Sequence, residues 1–387
     1  MSRRSKALGL LFVLICLISL VLLPHVVVKA QTRTFVVPDQ YSTIQGAINH
    51  ANASDTVLVK HGLYKETLVI NKPISLIGEG QASTIIDGNG GYNTIINVNA
   101  SHVLIQGFTL TNTHVLTEPI EESDGIKIDG AREDIRIDNN TLTKIGGTGI
   151  SLDGASSSIF LANLLVGTNI GGANGEDNNI TLNVFLGGGE ELTNQINTVI
   201  ADNYFGNVTG NFGLYLDACD GTTVSGNTFA YNKWGIELES STNGYFYNNN
   251  FINNSIQVSL QSNAEPSNGI NTWDNSTVGN YWSDYTGNGS QPYAIIASDS
   301  GQAVYYDYHP LSIPFNGSAM PSLSLLQLLS PSPTSTRTMI AVDEQVLIIA
   351  LIAVVVVLSI VLLIYRRHRK TSTNQIAKPL ALPSSQT

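Results

Sequence analysis

Cysteine, charge and soft metal ligands are all scarce in this chain of 387 residues. Cys16 and Cys219 are its two cysteines, and Cys16 lies in an N-terminal apolar stretch. Cys219 is therefore alone in the remainder, and no intrachain disulfide holds the fold. Stability that secreted domains often draw from disulfides must come from packing. Charged residues are 13% of the chain, against about 25% in an ordinary globular protein. All 30 acidic residues fall between Asp39 and Glu344, and 10 of the 19 Lys and Arg lie from Arg33 to Arg337, so residues 33–344 carry 10 − 30 = −20. Such a surface repels nucleic acid and polyanions, and suits neutral glycans or divalent cations. Apart from the initiator, methionine occurs at Met320 and Met339 only. His50, His61, His102, His114 and His309 form no pair at ligand spacing. A soft-metal site is not supported.

What the chain does have is asparagine at regular intervals. Asn140, Asn163, Asn183, Asn203, Asn227 and Asn250 are spaced 23, 20, 20, 24 and 23, each after a short apolar strand. A period of 20–24 without helical pattern marks a solenoid of stacked coils. Asn tolerates the left-handed backbone of a tight turn. Stacked in register about 4.7–4.9 Å apart, such residues form an amide ladder. The fold expected is all-β: a right-handed parallel β-helix.

A second strand keeps the same register. It reads Gly125-Ile-Lys-Ile-Asp129, Gly149-Ile-Ser-Leu-Asp153, Gly213-Leu-Tyr-Leu-Asp217 and Gly235-Ile-Glu-Leu-Glu239, with degenerate coils around Ile170 and Leu192. Alternation at period two sends the aliphatic residues inward. The expected core is thus a column of β-branched and Leu side chains with few aromatics, cornered by glycines at positive φ. The outward column runs Lys127, Ser151, Gly171, Glu191, Tyr215, Glu237. Tyr215 and Glu237 with Trp234 and Tyr231 form a candidate aromatic–acidic patch for sugar. Asp129, Asp153, Asp217 and Glu239 follow the inward aliphatic residue, and like-charged neighbours about 5 Å apart are candidate calcium ligands. No cofactor is otherwise required.

Arg3, Arg4 and Lys6 precede an apolar run from Leu8 to Leu23, and Val28-Lys-Ala30 offers a cleavage site, so residues 1–30 read as a secretory signal. Residues 31–55 include Ile44, Ala47, Ile48 and Ala51 at helical spacing with Ser42 as cap, a short helix to cover the open end. Repeats occupy 56–265, roughly nine coils. Residues 266–315 concentrate aromatics into a C-terminal cap, where Trp273 and Trp282 either plug the coil or stack on sugar. A Ser/Pro/Thr-rich linker (316–343) leads to an apolar span at 344–365, and Arg366-Arg-His-Arg-Lys370 opens a cytoplasmic tail to 387. Nine Asn-x-Ser/Thr sequons, including Asn139, Asn207 and Asn253, permit glycosylation.

The opening Val37-Pro-Asp-Gln-Tyr-Ser-Thr-Ile-Gln-Gly-Ala-Ile48 and Gly62-Leu-Tyr-Lys-Glu66 resemble the start of NosD-like, carbohydrate-binding and sugar-hydrolysis (CASH) right-handed β-helix proteins. Asn271-Thr-Trp-Asp274, Gly279-Asn-Tyr-Trp-Ser-Asp-Tyr285 and Asp307-Tyr-His-Pro-Leu311 resemble the closing segment of prokaryotic, often archaeal, surface members. The resemblance covers about residues 35–315 and implies the pectin-lyase-like fold. It implies no single activity, because the group is functionally mixed. NosD itself belongs to copper-site maturation, for which this chain lacks the ligands. Pectin methylesterase and polygalacturonase catalytic patterns are missing too, with Ser123-Asp-Gly125 the nearest fragment. No catalytic residue is assigned. The expectation is a membrane-anchored extracellular β-helix that binds glycan or surface polymer. A polysaccharide hydrolase or lyase, and a structural surface-layer or adhesion component, are the alternatives. Protease added to intact cells should remove the body and leave a fragment with the tail; protection of the body would reverse the orientation drawn from residues 366–370.

Overall fold

The computed structural model describes residues 32–89, 94–112, 123–261, 269–296 and 301–316. The signal, the apolar span and the tail lie outside the described residues, as does most of the linker. Among the described residues no helix is long and apolar enough to cross a membrane.

Three parallel sheets wind into a right-handed-type solenoid of about ten turns. Sheet A has ten strands from Thr34–Val37 to Tyr245–Tyr247, sheet B ten from Gly62–Lys65 to Tyr281–Trp282, and sheet C nine from Leu68–Ile70 to Ile256–Leu260. Every pairing within these three sheets is parallel, each strand bonding to its counterpart one turn away, as in Ile137↔Phe160 and Leu165↔Phe185. Val103–Gln106 belongs to sheet A and Thr109–Thr111 to sheet B, because Gly107 turns the chain between them at φ +83°.

The helix Ile44–His50 buries Ile44, Ala47 and Ile48. Its N-cap is Thr43 rather than Ser42, with the Thr43 hydroxyl accepting from Gly46 N–H at 3.1 Å. Side chains from further along satisfy both ends: Glu66 accepts from Ile44 and Gln45 N–H, and Lys72 Nζ donates to the Ile48, Asn49 and Ala51 carbonyls.

The amide ladder runs through the interior. Asn203 Oδ1 accepts from Asn183 N and Nδ2 at 2.8 and 3.1 Å, while Asn203 Nδ2 donates to Ile180 O and Asn227 Oδ1. The same pattern links Asn140, Asn163, Asn183, Asn203 and Asn227, and then Asn249. Asn250 is therefore not a rung. Its side chain faces out of sheet B and exchanges hydrogen bonds with the Phe315 backbone. Nor do the rungs themselves take the left-handed backbone. The preceding residue does: Asn139, Ala162, Leu182, Asp202, Gly226 and Asn248 have φ between +53° and +70°. That turn tucks the following amide inward. Beyond Asn249 the ladder continues to Asn280 and ends on Asp307, whose Oδ2 accepts from Asn280 N and Trp282 Nε1. Burial pushes the Asp307 carboxyl up, against the pull of those donors.

Two expectations about the core need correction. Aromatics fill much of it: Phe185, Phe205, Phe229, Phe251 and Trp282 stack with centroids 4.6, 4.9, 5.2 and 4.3 Å apart. Each stands two residues after a ladder asparagine, on the next inward position of sheet B. Trp273 stacks on Phe246 at 4.4 Å, and both it and Trp282 are 1% exposed, so these indoles pack the interior. Corner glycines do take positive φ, as at Gly130, Gly154 and Gly187, but the strand-opening ones serve close approach instead. A Cβ on Gly125, Gly149 or Gly235 would lie 2.5–2.6 Å from a carbonyl oxygen of the next turn.

Asn203→Ala removes the acceptor of the Asn183 backbone N–H and a donor to the Ile180 carbonyl in the interior, and is expected to cost about 1–3 kcal/mol. Asn207→Ala, at an exposed corner, should cost little. Equal shifts in thermal unfolding would sink the ladder as the source of stability.

Candidate functional site

The outer face of sheet C carries the candidate residues in an unbroken file. Strand pairing sets Lys127, Ser151, Gly171, Glu191, Tyr215, Glu237 and Ser259 on successive turns. At Gly171 the file has no side chain. A groove of about 290 Å³ opens there, lined among others by Thr148, Ser151, Asp153, Asn169, Glu191 and Thr193. A Cβ on Gly171 would meet Asn169 Nδ2 at 3.1 Å and the Glu191 carbonyl at 3.2 Å. The lining is hydroxyl, amide and carboxylate, with no Lys or Arg.

Two turns on, the face becomes aromatic and acidic. The Tyr215 hydroxyl donates to Glu239 Oε2 at 2.6 Å, and Gln261 Nε2 donates to Glu237 Oε1. Burial and then the bond to Glu239 push the Tyr215 hydroxyl well up. Burial, and after it the charge of Glu239, push the Asp217 carboxyl up. Phe212 stacks on Tyr215 with centroids 5.1 Å apart. Trp234 is half-buried in register between Phe212 and Ile256, with Lys233 Nζ 3.8 Å from its ring centroid. Tyr231 lies at the B/C corner at φ +59°, and burial, with Tyr231 after it, pushes the Tyr204 hydroxyl up.

The four calcium candidates share one column but not one cluster. Asp217 and Glu239 are direct register partners, whereas Ala173 and Thr193 hold that position on the two turns before Asp217. Asp153 is engaged by its own surroundings, accepting from Ala173 N–H and the Ser151 hydroxyl. Asp129 bonds through its backbone N–H to Val98 O. Among the described residues no three His, Cys, Asp or Glu converge as a metal group.

Residues 48–287 match the family described as "Periplasmic copper-binding protein (NosD)". The chain belongs to the NosD family. No functionally curated protein matches significantly. Among solved structures, similarity extends to the A-module of a mannuronan C-5 epimerase from Azotobacter vinelandii (16% identity, 60% of this chain and 81% of that one, TM-score 0.44). It extends also to XylC in complex with xylose (12%, 65% and 68%, TM-score 0.49) and to the Dettilon tailspike protein (13%, 62% and 61%, TM-score 0.43).

The described residues do not fit the copper in the family's description. His61 pairs with Glu79, His102 with Asp134 and His309 with Asp274, each at a different level of the solenoid. His50 Nδ1 contacts Gly46 O. Cys219 is buried, donates to the Leu192 and Asp217 carbonyls, and burial pushes its thiol up to about 11. His114 lies outside the described residues.

One buried group escaped the sequence reading. Glu190 occupies an inward position between Ile170 and Leu214, fully buried, and neither carboxylate oxygen has a hydrogen-bond partner. In Gly187-Gly-Gly-Glu-Glu191 the alternation that sends Glu191 outward sends Glu190 inward, a consequence hidden by the low apolarity of this coil. Burial alone pushes this carboxyl well above its ordinary range, so it is a neutral acid in the core. With a raised folded-state value, stability is complete below the unfolded-state value near about 4.3 and is lost as pH rises from there through the folded value. The melting-temperature gain of Glu190→Gln over the parent should therefore widen from pH 4 to pH 8. A pH-independent difference would mean that Glu190 does not titrate differently on folding.

Proposed function

We propose that this chain is an extracellular binding protein for an uncharged polysaccharide, held without cleavage along the outer face of sheet C. The carrying observation is the groove at Gly171, which opens in the same outward file as Tyr215 and Glu237. Hydroxyl, amide and carboxylate groups there accept and donate to sugar hydroxyls, and the aromatic residues supply apolar faces. The file from Ser151 to Ser259 covers five further turns, roughly 24 Å at the inter-strand spacing, which suits a polymer better than a small molecule. In this reading the basic-flanked span at 344–365 anchors the body to the membrane, and the helix Ile44–His50 covers the open end of the solenoid.

The second reading is a hydrolase, favoured by one pair of residues. Asp217 and Glu239 sit on adjacent turns, with Asp217 pushed up while Glu239 accepts the Tyr215 hydroxyl. Carboxyl groups in unlike environments are the pattern of a glycosidase acid and its partner.

Equilibrium binding to a panel of neutral oligosaccharides tests both. Gly171→Leu fills the groove and Trp234→Ala removes an aromatic face. Each should weaken binding about tenfold, or about 1–2 kcal/mol; Trp234→Ala should leave the melting temperature nearly unchanged, whereas Gly171→Leu should lower it modestly, because its Cβ crowds the Asn169 amide and the Glu191 carbonyl. Loss of thermal stability without loss of binding would assign Trp234 to packing. Release of reducing ends, abolished by Asp217→Asn, would replace the binding reading with the hydrolase; that activity would fall as pH rises through the raised Asp217 value, because the acid must be protonated.

A further inference from the structure

From Thr109–Thr111 onward sheet B is uncharged on its outer face, and sheet A is nearly so, with Arg136 and Asp138 the only charged outward residues of its described strands. From Thr109 and Thr111 to Asn250 and Ile252, two outward positions on each of seven successive turns hold no charged residue. Threonine, valine, leucine, isoleucine and tyrosine dominate. Its first four turns are mostly part-exposed, and an uncharged stretch of that kind invites association with other chains; on the last three, Tyr204, Thr228, Ala230 and Asn250 are already buried.

Sequons border this face on both sides. Asn139-Asn-Thr141 lies at the corner between sheets A and B; Asn207-Val-Thr209 and Asn253-Asn-Ser255 lie at the corner between B and C. The three acceptor asparagines are exposed, stand at φ +53°, +63° and +50°, and their side chains make no hydrogen bond. Asn207, Tyr231 and Asn253 follow one another at the same corner, linked by Asn207 N–H to Ala230 O and Tyr231 N–H to Ile252 O. The two acceptors are thus about 10 Å apart, two inter-strand spacings, with exposed Tyr231 between them. Asn52, Asn288 and Asn316 are exposed as well, but two sequons are built differently. Asn99 is half-buried with an enclosed Oδ1, and Asn179 Oδ1 accepts the Thr181 hydroxyl within sheet A. No sequon lies on the outward file of sheet C.

We propose that Asn207 and Asn253, with Asn139 at the opposite corner, carry N-linked glycans that lie over the uncharged face of sheet B and leave sheet C open. A sequon on an exposed corner of a protein outside the cytoplasm is a substrate for this modification, and the family is a periplasmic one. In the transfer, the asparagine Nδ2 forms a bond to the anomeric carbon of a glycan carried on a polyprenyl pyrophosphate. The anomeric C–O bond to that carrier breaks, the carrier leaves as the pyrophosphate, and Nδ2 loses one proton; nothing is oxidised or reduced.

The test is glycopeptide mass spectrometry on the full-length chain isolated from the cells that make it. The expected result is hexose-containing mass on Asn207 and Asn253 with Asn179 bare. Unmodified Asn207 and Asn253 in that material would overturn the proposal. The covering role has its own readout in the variant N139Q/N207Q/N253Q made in the same cells. It should keep the parent melting temperature, within a few degrees, yet sediment as oligomers where the parent is dispersed. Identical sedimentation would remove the shielding role, and a fold that fails only in the triple variant is separated by the single substitution N207Q.

Discussion

Everything in this molecule hangs on hydrogen bonds between buried amides one turn apart. A solenoid corner must bring backbone N–H and C=O groups inside, where an unpaired group costs as much as a lost bond. Each ladder asparagine meets that demand three ways: its Oδ1 takes the N–H and Nδ2 of the preceding rung, and its Nδ2 gives to a carbonyl deeper in that turn. A residue at positive φ before each rung makes the geometry available, and even Ala162 and Leu182 accept that backbone. The unit repeats because the inter-strand spacing repeats. A coil whose asparagine is out of place interrupts both neighbours.

The aromatic stack follows from the same constraint. A rung fixes the direction of sheet B, so the residue two positions later points inward at nearly the same place on every turn. Parallel rings at 4.6–5.2 Å are what that spacing allows. Trp282, stacked between Phe251 and Tyr293, also donates to Asp307, the residue that ends the ladder. One carboxylate therefore ties the end of the polar column to the aromatic one. The conspicuous Gly279-Asn-Tyr-Trp and Asp307-Tyr-His segments are this closure.

The repeat and its register were legible before any coordinates, because period-two alternation and a 20–24-residue spacing leave few alternatives. Lys127, Ser151, Gly171, Glu191, Tyr215 and Glu237 stand on successive turns as their sequence positions imply. The last rung slipped by one because Asn248, Asn249 and Asn250 are identical in type, and their roles differ only in backbone angle and direction. Asn280 and Asp307 were out of reach for another reason: the ladder steps of 31 and 27 residues that lead to them depart from the period. Composition also misled. Aromatics are 7% of the chain, yet placing several at one inward position makes them a column. The groove at Gly171 is visible as a missing side chain only once its neighbours are known.

A stacked architecture separates what holds the fold from what faces solvent more sharply than a globular core does. Inward positions answer to the turns above and below, while outward positions answer to little beyond their own strand. Family membership is carried by the first set, and chemistry by the second. This explains how residues 48–287 can match a family described by copper while the described histidines sit at separate levels, each with a polar partner, and the one described cysteine is buried. Nothing in the ladder, the stack or the closure requires a metal. The same separation permits one face to gather carboxylates around a groove and another to lose charge altogether, since neither change touches a rung. Glu190 is the informative exception, an ionisable group on the inward side, where the cost falls on the fold itself.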